Sequence, residues 1–180
     1  MGDYKEILRK DPRGRRLLKH GIRVPEKTTN VTRSLVFSII SQQLSTTVAR
    51  VIQGRFLELY GGRFPSARTI RQTPFERLKS IGLSRSKTLY IHNVAEFMDS
   101  RRITLKKLDR LTDEEVIELL TQIKGVGRWT VEMLLIFGLK REDVFAVDDL
   151  GMQKAMIALF KLQDLEKKEL LQKMAKLSER

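Results

Sequence analysis

Q-I-K-G-V-G-R-W-T-V-E-M-L, residues 122 to 134, sets two glycines around one valine, then follows them with a basic residue and the only tryptophan of the chain. Just ahead of it, Thr112, Asp113, Glu114 and Glu115 carry a capping-box pattern, with Leu111 and Val116 spaced as a hydrophobic staple. Val116, Ile117, Leu119, Leu120 and Ile123 repeat as the apolar stripe of an amphipathic helix. The predicted order is helix, Gly-Val-Gly, helix: a hairpin of two helices. Glycine permits positive φ and lets another backbone come close. The start of the second helix offers amide N–H groups without intrahelical partners at the positive end of a dipole, a seat for phosphate. Lys124 and Arg128 flank that seat with charge. Two readings fit the tripeptide by itself, an ordinary connection between helices or a backbone surface for nucleic acid, and the charge of the whole chain favours the second.

Outward from the hairpin, the sequence reads as helix after helix. Asp11-Pro12 is a cap followed by proline at the first helical position, and Gly21 is a stop for the segment ending at His20. Thr73, Pro74, Phe75 and Glu76 combine proline at a first position with a second capping box, and Gly82 ends that short helix. Between residues 34 and 60 apolar residues recur at every fourth position. One long helix fits that spacing. Two helices joined by a tight turn fit equally, because Ser41, Gln42, Gln43, Leu44, Ser45, Thr46 and Thr47 are mostly polar and rich in cap-formers. Few segments alternate with period two, so the expectation is an all-α protein of roughly eight to ten helices at about a dozen residues per helix.

The chain has 180 residues, with 35 Lys plus Arg against 22 Asp plus Glu, a net charge of +13. This excess points to a polyanionic partner, most often nucleic acid. There is no cysteine, which removes disulfides, thiolate metal sites, iron–sulfur clusters and cysteine nucleophiles together. His20 and His92 are the only imidazoles and stand far apart in sequence, so no side-chain metal site is expected. No signal peptide and no membrane-spanning run is read, so the expected setting is intracellular: cytoplasm or nucleoid in a prokaryote, nucleus in a eukaryote.

Four stretches carry a family resemblance in one order: F-S-I-I-S-Q-Q-L-S at 37–45, I-G-L-S-R-S-K at 81–87, L-L-T-Q-I-K-G-V-G-R-W-T-V-E-M-L-L-I-F-G-L at 119–139 and D-V-F-A-V-D-D-L-G-M-Q-K-A at 143–155. Together they resemble the helix–hairpin–helix DNA glycosylases, and among these the 3-methyladenine DNA glycosylase II branch that excises alkylated bases. The resemblance implies two interleaved helical lobes, with a DNA-binding cleft between them, forming a single domain over residues 1–180. The helix–hairpin–helix motif falls at about 113–138. Larger members add an N-terminal β-domain for which this chain is too short. Relatives also continue past the point where this sequence stops, into an aromatic helix that walls the base pocket, and the expectation is that this helix is lacking here. Phe37 is then a candidate for the remaining aromatic wall.

The resemblance also assigns roles. In bifunctional relatives the residue after the hairpin is a lysine that attacks the sugar; here it is Trp129, and indole cannot form an imine, so no lyase activity is expected. An electron-rich ring suits a purine made cationic by alkylation, with Met133 one turn later lining the same pocket. Core packing is the structural alternative for Trp129. The carboxylate that stabilises the cationic sugar is Asp148 or Asp149; the branch motif Asp-hydrophobic-Gly selects Asp149, leaving Asp148 as a helix cap or outer group. Gln43 takes the position of the plug that fills the gap left by an everted base, and Leu83 that of a wedge beside it, read as exposed, with burial in a loop as its alternative. Lys124, Gly125, Val126, Gly127, Arg128 and Thr130 bind the DNA backbone, as do Ser84, Arg85, Ser86 and Lys87. No organic cofactor is implied, though a sodium or potassium ion on hairpin carbonyls is.

The expected activity is that of a monofunctional, monomeric glycosylase of base excision repair. It would hydrolyse the N-glycosidic bond of alkylated purines, of the 3-methyladenine type, in damaged duplex DNA and leave an abasic site, with no membrane involved. The alternatives are a non-catalytic helix–hairpin–helix DNA-binding module and a glycosylase of different base specificity.

Overall fold

The computed structural model describes residues 4–19 and 26–178; His20 and Gly21, read above as a helix end and its stop, lie outside them. Among the described residues there are twelve α-helices, one π-helical segment and no strand. The chain forms two compact units: Lys27–Val144, and a second made of the described residues up to Glu26 with those from Phe145 onward.

The continuous unit is organised on α3 (Val31–Ser41), which packs against α4 (Thr46–Glu58), α7 (Arg85–Ser100), α10 (Arg128–Met133) and the π-helical segment Leu134–Leu139. Leu35, Val36, Ile39 and Ile40 leave no surface to solvent, so one face of α3 forms the centre of the core, while Ser34, Phe37, Ser38 and Ser41 are partly exposed. Each such side chain contributes about 1.5–3 kcal/mol of burial. Around it stand α5 (Ala67–Gln72), α6 (Phe75–Lys79), α8 (Leu105–Leu108) and α9 (Asp113–Thr121). The ambiguity between residues 34 and 60 resolves as two helices: α3 ends at Ser41, and Ser45 caps α4 by accepting from the Val48 amide at 3.3 Å.

Two expectations need correction. The helix count exceeds eight to ten because α5, α6 and α8 are pieces of four to six residues, each ended by its own cap. The capping box at Thr73 does not form. Its hydroxyl donates to Thr69 O at 2.8 Å and shares a 2.8 Å hydrogen bond with the Tyr60 hydroxyl, so Pro74 precedes α6 with no side-chain cap. Burial raises the Tyr60 phenol above its usual range.

The second unit holds α1 (Tyr4–Lys10), α2 (Pro12–Lys19), α11 (Leu150–Phe160) and α12 (Lys167–Ser178). Asp11 caps α2 as read, its carboxylate accepting from the Arg13 amide at 2.7 Å and from the Arg13 guanidinium at 2.6 Å, which holds its carboxyl well below the usual range. The Arg13 guanidinium also lies 4.2 Å over the Phe160 ring. At Gly14 a Cβ would collide with the Leu8 carbonyl, so the α1–α2 crossing depends on that glycine. No described helix is long and apolar enough to cross a membrane.

Candidate nucleic-acid interface and base pocket

The hairpin is built from its caps inward. At the head of α9 the Glu115 amide donates to Thr112 Oγ1 at 3.3 Å and the Thr112 amide to Glu115 Oε2 at 2.7 Å, completing the capping box. The turn then closes with Val126 N donating to Ile123 O at 2.9 Å, and the buried Val126 side chain anchors it in the core. Asn93, on α7, donates to Lys124 O at 3.0 Å. The two glycines differ. Gly125 sits at φ +103°, where a Cβ would also strike the Tyr90 ring. Gly127 sits at φ −90°, a conformation open to any residue, and a Cβ there would meet open space. Gly127 brings no capping side chain to α10, whose first turn, like that of any helix, has amides without intrahelical acceptors.

The expected pair of flanking charges reduces to one. Lys124 is exposed, but Arg128 donates to Glu132 Oε1 at 3.0 Å and to Glu114 Oε1 at 2.7 Å, tying the first turn of α9 to α10. The guanidinium holds the Glu114 carboxyl below its ordinary range and is itself raised by that carboxylate. Arg128 is therefore a bracket inside the hairpin, with its backbone still at the exposed end of α10.

Trp129 is 38% exposed, so it is not a core residue. Thr130 and Met133 on α10 line a cavity of about 290 Å³ in the continuous unit, together with Phe37, Ser41, Gln53 and Phe137. That volume is at the small end of ligand pockets, suited to one compact ring system. The Phe37 ring is held edge-on by Phe56 and Phe64 at 6.2 and 5.7 Å between centroids. Ser41 Oγ donates to Phe37 O at 2.8 Å and accepts from Gln53 Nε2 at 3.1 Å, a polar pair in a mainly apolar cavity. Ser41, Gln53 and Phe137 were not anticipated as cavity residues. Phe137 is 54% exposed because Leu134–Leu139 winds as a π-helix, which shifts side chains off the 3.6-residue stripe. A glycine in that apolar run, Gly138, was the available signal: a Cβ there would come within 2.7 Å of Leu134.

The turn at residues 42–45 exposes Gln43, whose φ of +56° is rare for a residue with a side chain. Leu83, Ser84 and Lys87 share a groove of about 260 Å³ with Gln43 and Leu44. Two assignments here are corrected. Leu83, read as an exposed wedge, is 6% exposed and belongs to the hydrophobic core, because Gly82 at φ +103° turns the chain inward. Lys87, read as a phosphate ligand, instead donates to Ile40 O at 2.9 Å and Gln42 O at 2.7 Å. Ser84 caps α7 by accepting from the Lys87 amide at 3.3 Å, while Arg85 and Ser86 are exposed on its first turn.

In the unit of the chain ends, Asp149 caps α11, accepting from the Met152 amide at 2.8 Å. The capping role expected of Asp148 therefore belongs to Asp149, and Asp148 is exposed. A Cβ on Gly151 would stand 3.0 Å from Asp149 Oδ1, a tight approach to the capping carboxylate. Buried Gln153 donates to Val147 O at 2.9 Å and steadies the segment leading to the carboxylate.

Comparison with known proteins follows the same outline. Residues 36–180 match the model of the HhH-GPD superfamily base excision DNA repair proteins. The chain is 42% identical over 136 residues to DNA-3-methyladenine glycosylase 1 of Schizosaccharomyces pombe, covering 74% of this chain and 60% of that one. It is 35% identical over 164 residues to the DNA-3-methyladenine glycosylase of Saccharomyces cerevisiae, covering 82% and 55%. It thus spans three fifths or less of the length of these relatives. Among solved structures, it is similar to the S. pombe 3-methyladenine DNA glycosylase in complex with abasic DNA, with TM-score 0.83, 35% identity and 97% and 89% coverage. The DNA-3-methyladenine glycosidase of Bacillus halodurans gives TM-score 0.82, 34% identity and 98% and 82% coverage.

Proposed function

Because this chain belongs to the HhH-GPD superfamily of base excision DNA repair proteins, we propose that it is a monofunctional, monomeric DNA glycosylase acting inside the cell. In this reading residues 1–180 work as one domain of two lobes. The enzyme hydrolyses the N-glycosidic bond of alkylated purines of the 3-methyladenine type in duplex DNA and leaves an abasic site. One observation carries the reading. A single helical path, from Arg128 to Leu139, begins at the uncapped, open Gly127 and a few residues later lines an aromatic cavity with Thr130, Met133 and Phe137. A backbone seat for phosphate and a receptacle for one base thus stand on the same element.

The chemistry follows from charge. Alkylation at a ring nitrogen makes the purine a cation; Phe37 and Met133 line the cavity we assign to it, and Trp129, which is not among the residues lining that cavity, is assigned to attract it with its electron-rich ring. A cationic base leaves without much help from an acid: the bond from the anomeric carbon to the base breaks with its electrons going to the ring. The sugar becomes oxocarbenium-like, and Asp149 is the carboxylate we assign to stabilise it and to orient the water that adds there. Gln43 fills the gap left by the everted nucleotide. Backbone contacts fall to Lys124, Gly125, Val126, Gly127, Arg128 and Thr130, and to Ser84, Arg85 and Ser86, with a sodium or potassium ion on the hairpin carbonyls.

A duplex with one N3-methyladenine or N7-methylguanine is the test. The wild-type protein releases free base and leaves an alkali-labile site, with no strand cut and no borohydride-trapped adduct. Asp149→Asn slows single-turnover release at least about 100-fold while duplex affinity is kept. A full rate in Asp149→Asn removes that residue from the chemistry. Salt-sensitive duplex binding with no release from any lesion returns the protein to a non-catalytic hairpin module.

A further inference from the structure

We propose that Lys87 is a positioning residue for Gln43: its ammonium group clamps the end of α3 and thereby sets the direction in which the Gln43 side chain leaves the protein. The inference rests on the reading of Gln43 as the plug and names what aims it. The last carbonyls of a helix have no intrahelical donors and sit at the negative end of its dipole. At the end of α3, Ile40 O and Gln42 O receive Lys87 Nζ at 2.9 and 2.7 Å, across more than forty residues of sequence. Gln42 O belongs to the peptide unit that supplies the Gln43 nitrogen, so this contact fixes the plane from which Gln43 takes its left-handed φ of +56°.

Leu44 N donating to Ser41 O at 3.2 Å closes the turn on its other side. An ammonium has three donors, and with two committed inward Lys87 is a poor surface ligand for phosphate. Burial lowers the Lys87 amine below the usual lysine range, the mark of a cation drawn out of water to meet these carbonyls. Lys87 stands in the first turn of α7, directly after the segment of Gly82, Leu83 and Ser84, and the two loops line one groove. The wedge position is buried, so the long exposed side chains left on this groove are Gln43 and Leu44, and aiming the polar one falls to the residue that ties the loops together.

The test compares wild type, Lys87→Met and Lys87→Arg on two duplexes carrying the same methylated purine, one fully paired and one with the lesion in a mismatch that already unstacks it. Lys87→Met slows single-turnover release from the paired duplex by about tenfold and from the mismatched one by no more than about twofold. Lys87→Arg recovers most of the loss. Equal slowing on both duplexes, or none on either, overturns the proposal. Amide exchange supplies a readout independent of activity: at Leu44 it quickens at least about tenfold in Lys87→Met while the centre of α7 is unchanged. Unchanged Leu44 exchange also overturns it. Should Lys87→Met not fold, Lys87→Gln, which keeps one donating amide, carries the same comparison. If the wild type releases no base from any duplex, the glycosylase reading fails and the exchange result alone decides whether Lys87 holds the turn.

Discussion

The turns at residues 42–45 and 124–127 each join two helices of the continuous unit, and each holds one residue in the left-handed region. In the hairpin that residue is Gly125, at φ +103°; in the other turn it is Gln43, at φ +56°. The hairpin removes side chains: Gly125 leaves room for Tyr90, Gly127 leaves open space, and the charge of Arg128 is taken up by Glu114 and Glu132. What remains for a ligand is backbone and the exposed Lys124. The turn at 42–45 does the opposite and keeps a long amide side chain at a position where glycine would be easier, at a cost of about 1 kcal/mol. A strained side chain retained at an exposed turn is one whose tip matters, and a turn whose two glycines leave its outer face bare is one whose main chain matters.

Substitutions at these positions break or sharpen that contrast. Gly125→Ala meets both the left-handed φ and the Tyr90 ring, and urea unfolding should show a loss of at least about 3 kcal/mol. A loss below about 1 kcal/mol would mean that Tyr90 swings away and that the turn is not over-determined. Gln43→Gly keeps the turn, changes stability by no more than about 1 kcal/mol and slows base release from paired duplex about tenfold. An unchanged rate would assign the plug to a neighbour such as Leu44. Gly127→Ala has no backbone strain to relieve and no neighbour to strike. Its stability stays within about 0.5 kcal/mol. Duplex affinity falls about fivefold, a little under the tenfold that 1.4 kcal/mol represents. Unaltered affinity would show that phosphate does not approach there.

The smallest effect belongs to Glu114→Gln, which loosens the exposed Arg128 bracket. Arg128 depresses the Glu114 carboxyl in the folded protein, so the pair stabilises above the usual glutamate range and its contribution disappears as pH falls through the lowered value. Thermal melts should therefore show a slight deficit for the variant at neutral pH that vanishes in acid.

What could be read from the sequence was whatever the chain settles locally. The Thr112–Glu115 box, the Asp11-Pro12 start and the Gly-Val-Gly hairpin each depend on residues within one turn of each other, and each is present. Thr73 carried the same signal and failed, because Tyr60, thirteen residues earlier in the chain, shares its hydroxyl. Leu83 and Lys87 were misread for a related reason. Residue type suggested an apolar wedge and a phosphate cation, but which of the two would be buried is decided by α3 and α4, and nothing near residue 83 reports that. Phe137 escaped because a π-helix breaks the period by which helical faces are read. The choice between the two aspartates came from the family motif alone; locally Asp149 is the cap of α11 and Asp148 is exposed.

The unit made from both chain ends has a temporal consequence. Residues 27–144 are one continuous stretch and are complete once the ribosome has delivered α10 and the π-helical segment against which α3 packs. The first helices must wait for their partners, since the residues that complete their unit are translated only after that middle stretch. Asp149 is encoded in this late segment, so a nascent chain displays the backbone seat for phosphate before it possesses the acid assigned to cut the glycosidic bond. On the proposed reading grip precedes reactivity, and a translation product halted near residue 144 is expected to bind duplex and release no base, which a binding assay paired with a base-release assay on that fragment would check.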